Sequence, residues 1–509
     1  MAQQLQNITI TAPAFAGINT QDAPLGLEPT YAAVADNCII DKEGRLAARK
    51  GYTMVSTNGE AVLGTSTGIT TIGEFVANDG TAILFSAGNN SIFTGVTTLV
   101  DATPAGYTIT ANDWKFVSFN NRMYMFQRDH EPLIYDANTT ALTAMSAHAA
   151  STGTPPQANE CIAAFGRLWA ADVTDDKSTI YWSDLLNGNN WSTGTSGSID
   201  LSRVWPTGYD TIVGLAAHNG FLIIFGRNTI LVYDGAEDPS TMAINDTTTN
   251  IGCVSRDAIV STGVDLVFLD DSGVRSLSRT VQEKSAPLGD ISKNVNSDIK
   301  ALYAAEFGSI KMHYSPKEAF ILLSFDLLNV VYCFNTRSPL PDGSFRATTW
   351  SGIDPLTFTT LASDKLYLGT ATGIAEHIGY NDNTASYQLS YFSHPLSFGS
   401  TSNLKFLKKI NLTTFNGAEA VVVLSWAYNY AGAFTKYPYT LPTTDVGQYN
   451  LSEFNTAAEF ASHISLINRQ QVNANGQGTV VAIGIETVVD GNAIAIQELN
   501  IHALQGRVV

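Results

Sequence analysis

The chain has 509 residues, 44% of them hydrophobic and only 15% charged, with a formal net charge of −18 and a mean hydropathy of +0.03. That length buries a sizeable core and points to more than one domain, and a charge-poor composition rich in Thr, Ser, Asn, Gly and Ala argues for sheet and turns, since helical proteins of this size carry more Glu, Lys, Leu and Arg. The acid excess opposes adsorption to phosphate backbones, no apolar run approaches the roughly 18 residues of a membrane span, and the opening MAQQLQNITITAPAF has neither the basic nor the apolar region of a signal peptide.

Residues 1–60 open with a short alternating strand at 7–11, followed by a stretch punctuated by Pro13, Gly17, Pro24, Gly26 and Pro29. One or two helical turns are expected at 31–37. A turn at Asp41-Lys42-Glu43-Gly44 is expected between apolar runs at 38–40 and 45–48.

From about residue 61 a pattern recurs, clearest at 210–235, DTIVGLAAHNGFLIIFGRNTILVYDG. Three apolar runs (212–217, 221–225 and 229–233) are separated by the turns His218-Asn219-Gly220 and Gly226-Arg227-Asn228. β-branched and aromatic residues fill the runs, and Gly and Asn supply the positive φ that tight hairpins need. The second run is apolar on both faces and must be covered on both sides.

The same first hairpin turn is found at Asn78-Asp79-Gly80, Asn120-Asn121-Arg122, Phe165-Gly166-Arg167, His218-Asn219-Gly220, Gly263-Val264-Asp265, Pro316-Lys317-Glu318 and Ser363-Asp364-Lys365. Middle residues of successive turns differ by 42, 45, 53, 45, 53 and 47, close to the roughly 40–50 residues of a four-stranded propeller blade. The pattern therefore predicts an all-β fold: a β-propeller of about seven blades over 61–380, in which each blade covers its neighbour. A large β-sandwich of ordinary hairpins is the competing reading. After about 380 the three-run pattern stops. Runs at 405–413 and 420–427, a possible short helix at 456–467, and alternating runs at 479–488 and 493–501 read as a β-sandwich-like platform or interaction domain over 381–509, with 1–60 packing on both bodies.

Motifs for chemistry are weak. Gly64-Thr65-Ser66-Thr67-Gly68 matches G-x-S-x-G, but a β-type sequence follows where the nucleophile elbow needs a helix. The eight histidines hold no pair at i+2, i+3 or i+4, and His218 reads as a hairpin residue rather than a ligand. Cys38, Cys161, Cys253 and Cys333 are spaced for buried free thiols, not for a metal. The acidic turns Asp172–Asp176 and Asp270-Asp271-Ser272-Gly273 suit hairpins, in which Asp tolerates left-handed geometry, better than an acid–base pair. No phosphate-cradling loop is present. No catalytic, cofactor-binding or metal residue is expected, so the chain is read as a non-enzyme. The aromatic group Trp426, Tyr428, Tyr430, Tyr437 and Tyr439 reads either as a partner-binding face or as an aromatic-lined core edge.

The succession RLAARKGYT, CIAAFGRLWAADVTDDKSTIYWSDLLNGNNWS, TIVGLAAHNGFLIIFGRNTILVYDG and VDLVFLDDSGVRSLS resembles the packaged-DNA stabilisation proteins of short-tailed phages, which form the tail nozzle. The resemblance covers most of residues 30–375 and fades in the C-terminal region. Its more specific points are Gly166-Arg167-Leu168-Trp169, Ser183-Asp184 and Phe225-Gly226 through Ile230. It implies a virion component assembled in the host cytoplasm: about six copies in a ring below the portal and adaptor, tail fibres or spikes as further partners, and DNA passing through the lumen without sequence-specific binding. An acidic wall suits such a conduit, because like charge keeps the duplex from adhering. The alternative from another class is a glycan-binding or glycan-cleaving propeller for host-surface recognition, whose signature is aromatic and carboxylate side chains gathered at one end of the propeller channel. An intracellular scaffold propeller is a third reading.

Overall fold

The computed structural model describes residues 5–64, 68–283, 290–306, 309–417, 419–442 and 467–508. The 65–67 segment of the G-x-S-x-G match and the helix expected at 456–467, up to 466, lie outside the described residues.

The fold is all-β and its larger body is a propeller. Blade 4 shows how the sequence builds one. Ile212–His218, Phe221–Gly226, Thr229–Asp234 and Ala243–Thr249 form an antiparallel meander. Its first turn holds Asn219 and Gly220 at φ 49° and 84°, the paired left-handed geometry of a two-residue hairpin. The second strand is buried on both faces. Leu222 and Ile224 pack with Trp169 and Ile180 of blade 3, while Ile223 and Phe225 pack with Leu266 and Phe268 of blade 5. Burying four such side chains contributes about 1.5–3 kcal/mol each, and this is the cover that the apolar run demanded.

The same meander occurs at 71–101 (blade 1), 115–144 (blade 2) and 160–200 (blade 3), and as three strands at 259–276 (blade 5). Blade 6 comprises Ile310–Ser315, Phe320–Phe325, Val330–Asn335 and Arg346–Ser351. Blade 7 comprises Thr357–Thr360, Leu366–Thr370 and Gly373–Glu376, completed by Thr53–Met54 from the N-terminal segment. First strands of successive blades lie side by side, that of blade 4 meeting the turn Arg256–Ala258 that leads into blade 5, and that of blade 7 returns to that of blade 1. Six blades, 1 to 5 and 7, are separate sheets, and blade 6 runs on into a larger sheet.

Both 53-residue intervals have local causes. In blade 3 the third and fourth strands are joined by a long link at 183–196. After the three described strands of blade 5 come the helices Leu277–Glu283 and Asn296–Ala305.

The smaller body is a two-sheet sandwich made from both ends of the chain. In one sheet the long strands Asn403–Asn416 and Ile494–Val508 pair antiparallel, flanked by Leu5–Thr11 and Ile467–Asn473, with Leu46–Ala48 and Cys38–Ile40 beyond. The other sheet continues blade 6: Arg346–Ser351, Tyr31–Asp36, Tyr387–Ser393, Val481–Val489, Val421–Tyr428 and Thr435–Thr440, in that order. Leu412 and Ile496 of the first sheet meet Leu389, Val422 and Ile485 of the second in a core continuous with blades 5 and 6.

Residues 31–37, expected as helical turns, are instead the strand Tyr31–Asp36. Its small residues Ala32 and Ala35 are buried where it inserts between Arg346–Ser351 and Tyr387–Ser393. Sheet pairing there outweighs alanine's weak preference for helix.

Candidate functional site at the mouth of the propeller channel

First strands and the links preceding them converge on the propeller axis, and at one end they bring charge. Lys115 opens the first strand of blade 2, Glu160 that of blade 3, and Lys311 lies in that of blade 6. Arg256 and Asp257 sit in the short 3-10 turn Arg256–Ala258 before blade 5, and Asp113 lies in the link to blade 2. Lys115 Nζ is 3.2 Å from Glu160 Oε2 and 3.7 Å from Asp257 Oδ1. Arg256 reaches Asp113 Oδ2 at 2.9 Å and Asp257 Oδ2 at 3.3 Å. Lys311 Nζ donates to Asp257 Oδ2 at 2.7 Å and also to Asp113. Three cations thus face three carboxylates across blades that are far apart in sequence.

Glu160 is 1% exposed. Its Oε1 accepts no hydrogen bond, and burial pushes its carboxyl up to about 7 against the pull of Lys115 and Arg256. Asp257 goes the other way. Burial would raise it, but Lys311, Arg256 and Lys115 together hold it well below the usual carboxylate range. Carboxylates pushed apart in this way are what a general acid and base need. Here, however, Glu160 does not line the adjoining cavity. That cavity, of about 200 Å³, is bounded by Thr71, Lys115, Asp257, Lys311, Thr357 and Phe358. The arrangement is chemically a charge-balanced lattice that pins four blades together, and its acids are engaged by its own cations.

A second acidic group lies beside it on blade 6. Asp326, in the turn after Phe320–Phe325, is raised to about 6 by burial and by neighbouring Asp354 and Glu306. Glu306 is 1% exposed. Its Oε1 accepts from Ser309 Oγ at 2.9 Å, and its Oε2 accepts no hydrogen bond.

The acidic turns singled out from sequence are tied into the fold. Asp270 accepts from Gly252 N, Ser272 Oγ and Arg275 Nε at 3.2, 2.6 and 3.1 Å, and Asp271 pairs with Arg227 at 2.5 Å. Asp172 holds Arg128, Lys177 (2.9 Å) and Asn159 (2.8 Å). His218 ends its strand half-buried next to the hairpin turn. The four cysteines are buried and free, and among the described residues no group of three His, Cys, Asp or Glu is placed to hold a metal ion.

The aromatic group is largely the edge of the core rather than an exposed partner face. Trp426 is 4% exposed and its Nε1 donates to Asn475 O at 3.1 Å, so it is a core residue and is withdrawn as a partner contact. Tyr428, whose hydroxyl donates to the same carbonyl at 2.7 Å, and Tyr439 are half-buried. Only Tyr430 and Tyr437 present exposed rings, at 65% and 43%. Tyr437 lies opposite Leu424 and Tyr439 opposite Val422, so Trp426, Tyr428, Tyr437 and Tyr439 share one face of the sheet, whereas Tyr430 lies in the turn beyond Val421–Tyr428.

No protein-family model matches the chain, and no curated protein does. Among solved structures it is similar to the extracellular domain of a one-component system from B. thetaiotaomicron (13% identity, TM-score 0.41, 73% of this chain and 45% of that one). It is also similar to the Pan2 WD40 domain of Neurospora crassa (9%, TM-score 0.36, 65% and 94%), and to an exo-β-1,3-galactanase from Phanerochaete chrysosporium (11%, TM-score 0.29, 89% and 100%). This chain therefore spans less than half of the first of these. At such distances the propeller rests on the strand pairing described above.

Proposed function

We propose that this chain is a structural subunit of a short-tailed phage tail nozzle, which joins about six copies of itself into a tube where DNA is held and released. The observation that carries this reading is architectural. One ten-stranded sheet runs from blade 6 into a sandwich built from both chain ends, which makes a stiff two-body subunit of the kind a ring wall needs. Among the described residues the sheet ends in the exposed strand Thr435–Thr440, whose outer backbone edge pairs with none of them and offers hydrogen bonds to a neighbour. The net charge of −18 suits a wall that DNA passes without adhering. In this reading the partners are an adaptor on the portal side and fibre or spike proteins, the location is the virion, and no reaction is catalysed. Electron microscopy of the purified full chain is the test, with rings of about six subunits expected. A monomer at every concentration, or tight binding to duplex DNA at physiological salt, overturns it.

A second reading, glycan binding by the propeller, is favoured by a different observation: an uncharged groove on blade 3 that carries two half-buried aromatic rings.

A further inference from the structure

The groove lies on the outer half of blade 3, over its contact with blade 2, and has a volume of about 450 Å³, within the range of small-molecule sites. Its floor and walls include Tyr181, Trp191, Pro155 and Pro156, with Gln157 and Ser198 exposed at the edge. Tyr181 and Ser198 are direct cross-strand partners in blade 3. Trp191 comes from the long 183–196 link, the insertion that stretched the repeat interval there.

Both rings are held before any ligand arrives. The Trp191 indole N–H donates to Gly188 O at 3.0 Å, and the ring packs edge-on against Phe126 with centroids 6.3 Å apart. The Tyr181 hydroxyl donates to Asp176 Oδ2 at 2.5 Å, which leaves its oxygen lone pairs as acceptors. Rings fixed in this way lose little side-chain entropy when a ligand stacks on them. The polar groups at the edge, an amide and a hydroxyl, each donate and accept. None of the residues that line the groove is Asp, Glu, Lys or Arg.

We propose that this groove binds a neutral hexose-containing glycan, with the apolar face of a sugar ring against Tyr181 and Trp191 and its hydroxyls hydrogen bonded by Gln157 and Ser198. Groups that both donate and accept match sugar hydroxyls, which do the same. The uncharged lining and the chain's net charge of −18 select against acidic glycans. The assignment rests on the glycan-binding reading and is independent of the assembly reading. The occupant of a different class that an aromatic, proline-edged groove also suits is an extended proline-rich peptide.

The test is saturation-transfer NMR on the full chain with neutral hexasaccharides of glucose and of galactose and, separately, a proline decapeptide. Transfer to at least one hexasaccharide is expected, weakened at least about tenfold by Trp191→Ala and several-fold by Gln157→Ala, with circular dichroism unchanged. Should Trp191→Ala fail to fold, Gln157→Ala and Ser198→Ala carry the same comparison. No transfer to any hexasaccharide overturns the glycan reading itself. Transfer that survives all three variants keeps that reading and overturns this groove as its site, and binding of the proline peptide in place of the sugars overturns the ligand class.

Discussion

Arg49 and Asp382 meet in a two-pronged ion pair, Nη1 to Oδ1 at 2.8 Å and Nη2 to Oδ2 at 2.7 Å, across 333 positions of sequence. Arg49 is fully buried. Its Nε donates to Asn37 Oδ1 at 2.8 Å and its guanidinium lies 4.1 Å from the centre of the Tyr387 ring. The pair fastens the N-terminal segment to the chain leaving blade 7. Arg49→Met strands Asp382 without its partner and is expected to destabilise by about 3–5 kcal/mol. Arg49→Lys recovers little of this because it lacks the planar fork. Urea unfolding of both variants checks this, and a change under about 1 kcal/mol for Arg49→Met contradicts the clamp.

Ile223 and His218 lie five residues apart in blade 4 with opposite sensitivities. Ile223 is 2% exposed between blades, so Ile223→Asp buries an unpaired charge at a cost above about 4 kcal/mol and is expected to abolish soluble protein. His218 is half-buried and its Nε2 has no hydrogen-bond partner, so His218→Ala is expected to change stability by under about 1 kcal/mol. Soluble yield and thermal melting read both, and the reverse order would make the hairpin a functional loop.

Buried Glu160 and half-buried His313 give stability opposite slopes with pH. Burial raises Glu160 from 4.5 to about 7, so its contribution is full below 4.5 and is lost as pH rises to about 7. His313 is depressed from 6.5 to about 4 by burial, so its contribution is full above 6.5 and is lost as pH falls to about 4. Glu160→Gln should therefore lose less stability than wild type between pH 4.5 and 7. His313→Gln should lose less between 6.5 and 4. Melting temperatures of the three proteins across pH 4–8 decide it, and parallel curves would refute both assignments.

Blade 7 takes its fourth strand, Thr53–Met54, from the N-terminal segment. A chain begun at residue 61 also lacks Leu5–Thr11, Tyr31–Asp36, Cys38–Ile40 and Leu46–Ala48, and so loses both a ring closure and four sandwich strands. It is expected to bind a hydrophobic dye and to melt without a cooperative transition, whereas a sharp transition at the wild-type temperature would show the closure to be dispensable.

The hairpin turns were readable because their geometry demands particular residues: Asn120-Asn121 and Asn219-Gly220 sit at positive φ, as tight turns require. The outermost strands were not. Ala243–Thr249 is largely exposed, and an exposed strand needs no apolar run. Tyr31–Asp36 misled because a short Ala-rich segment takes its form from the strands that flank it. The channel lattice was invisible for a related reason, since Lys115, Glu160, Arg256, Asp257 and Lys311 each look like surface charges until the ring closes. A faint signal existed in Lys115 and Lys311, each next to apolar residues (Phe116 and Val117, Ile310 and Met312) in a first strand. Trp191 was hidden in a turn-rich insertion whose only mark was a lengthened interval.

The pairing of Leu5–Thr11 with Ile494–Val508, Leu5 opposite Leu504 and Thr11 opposite Glu498, sets an order of events during synthesis. Leu5–Thr11 is made before the blades and its partner after them, so its backbone edge and Ile10 stay uncovered while the blades are made. A chain in that state is most vulnerable to association with other nascent copies, because an uncovered strand edge is a template for pairing.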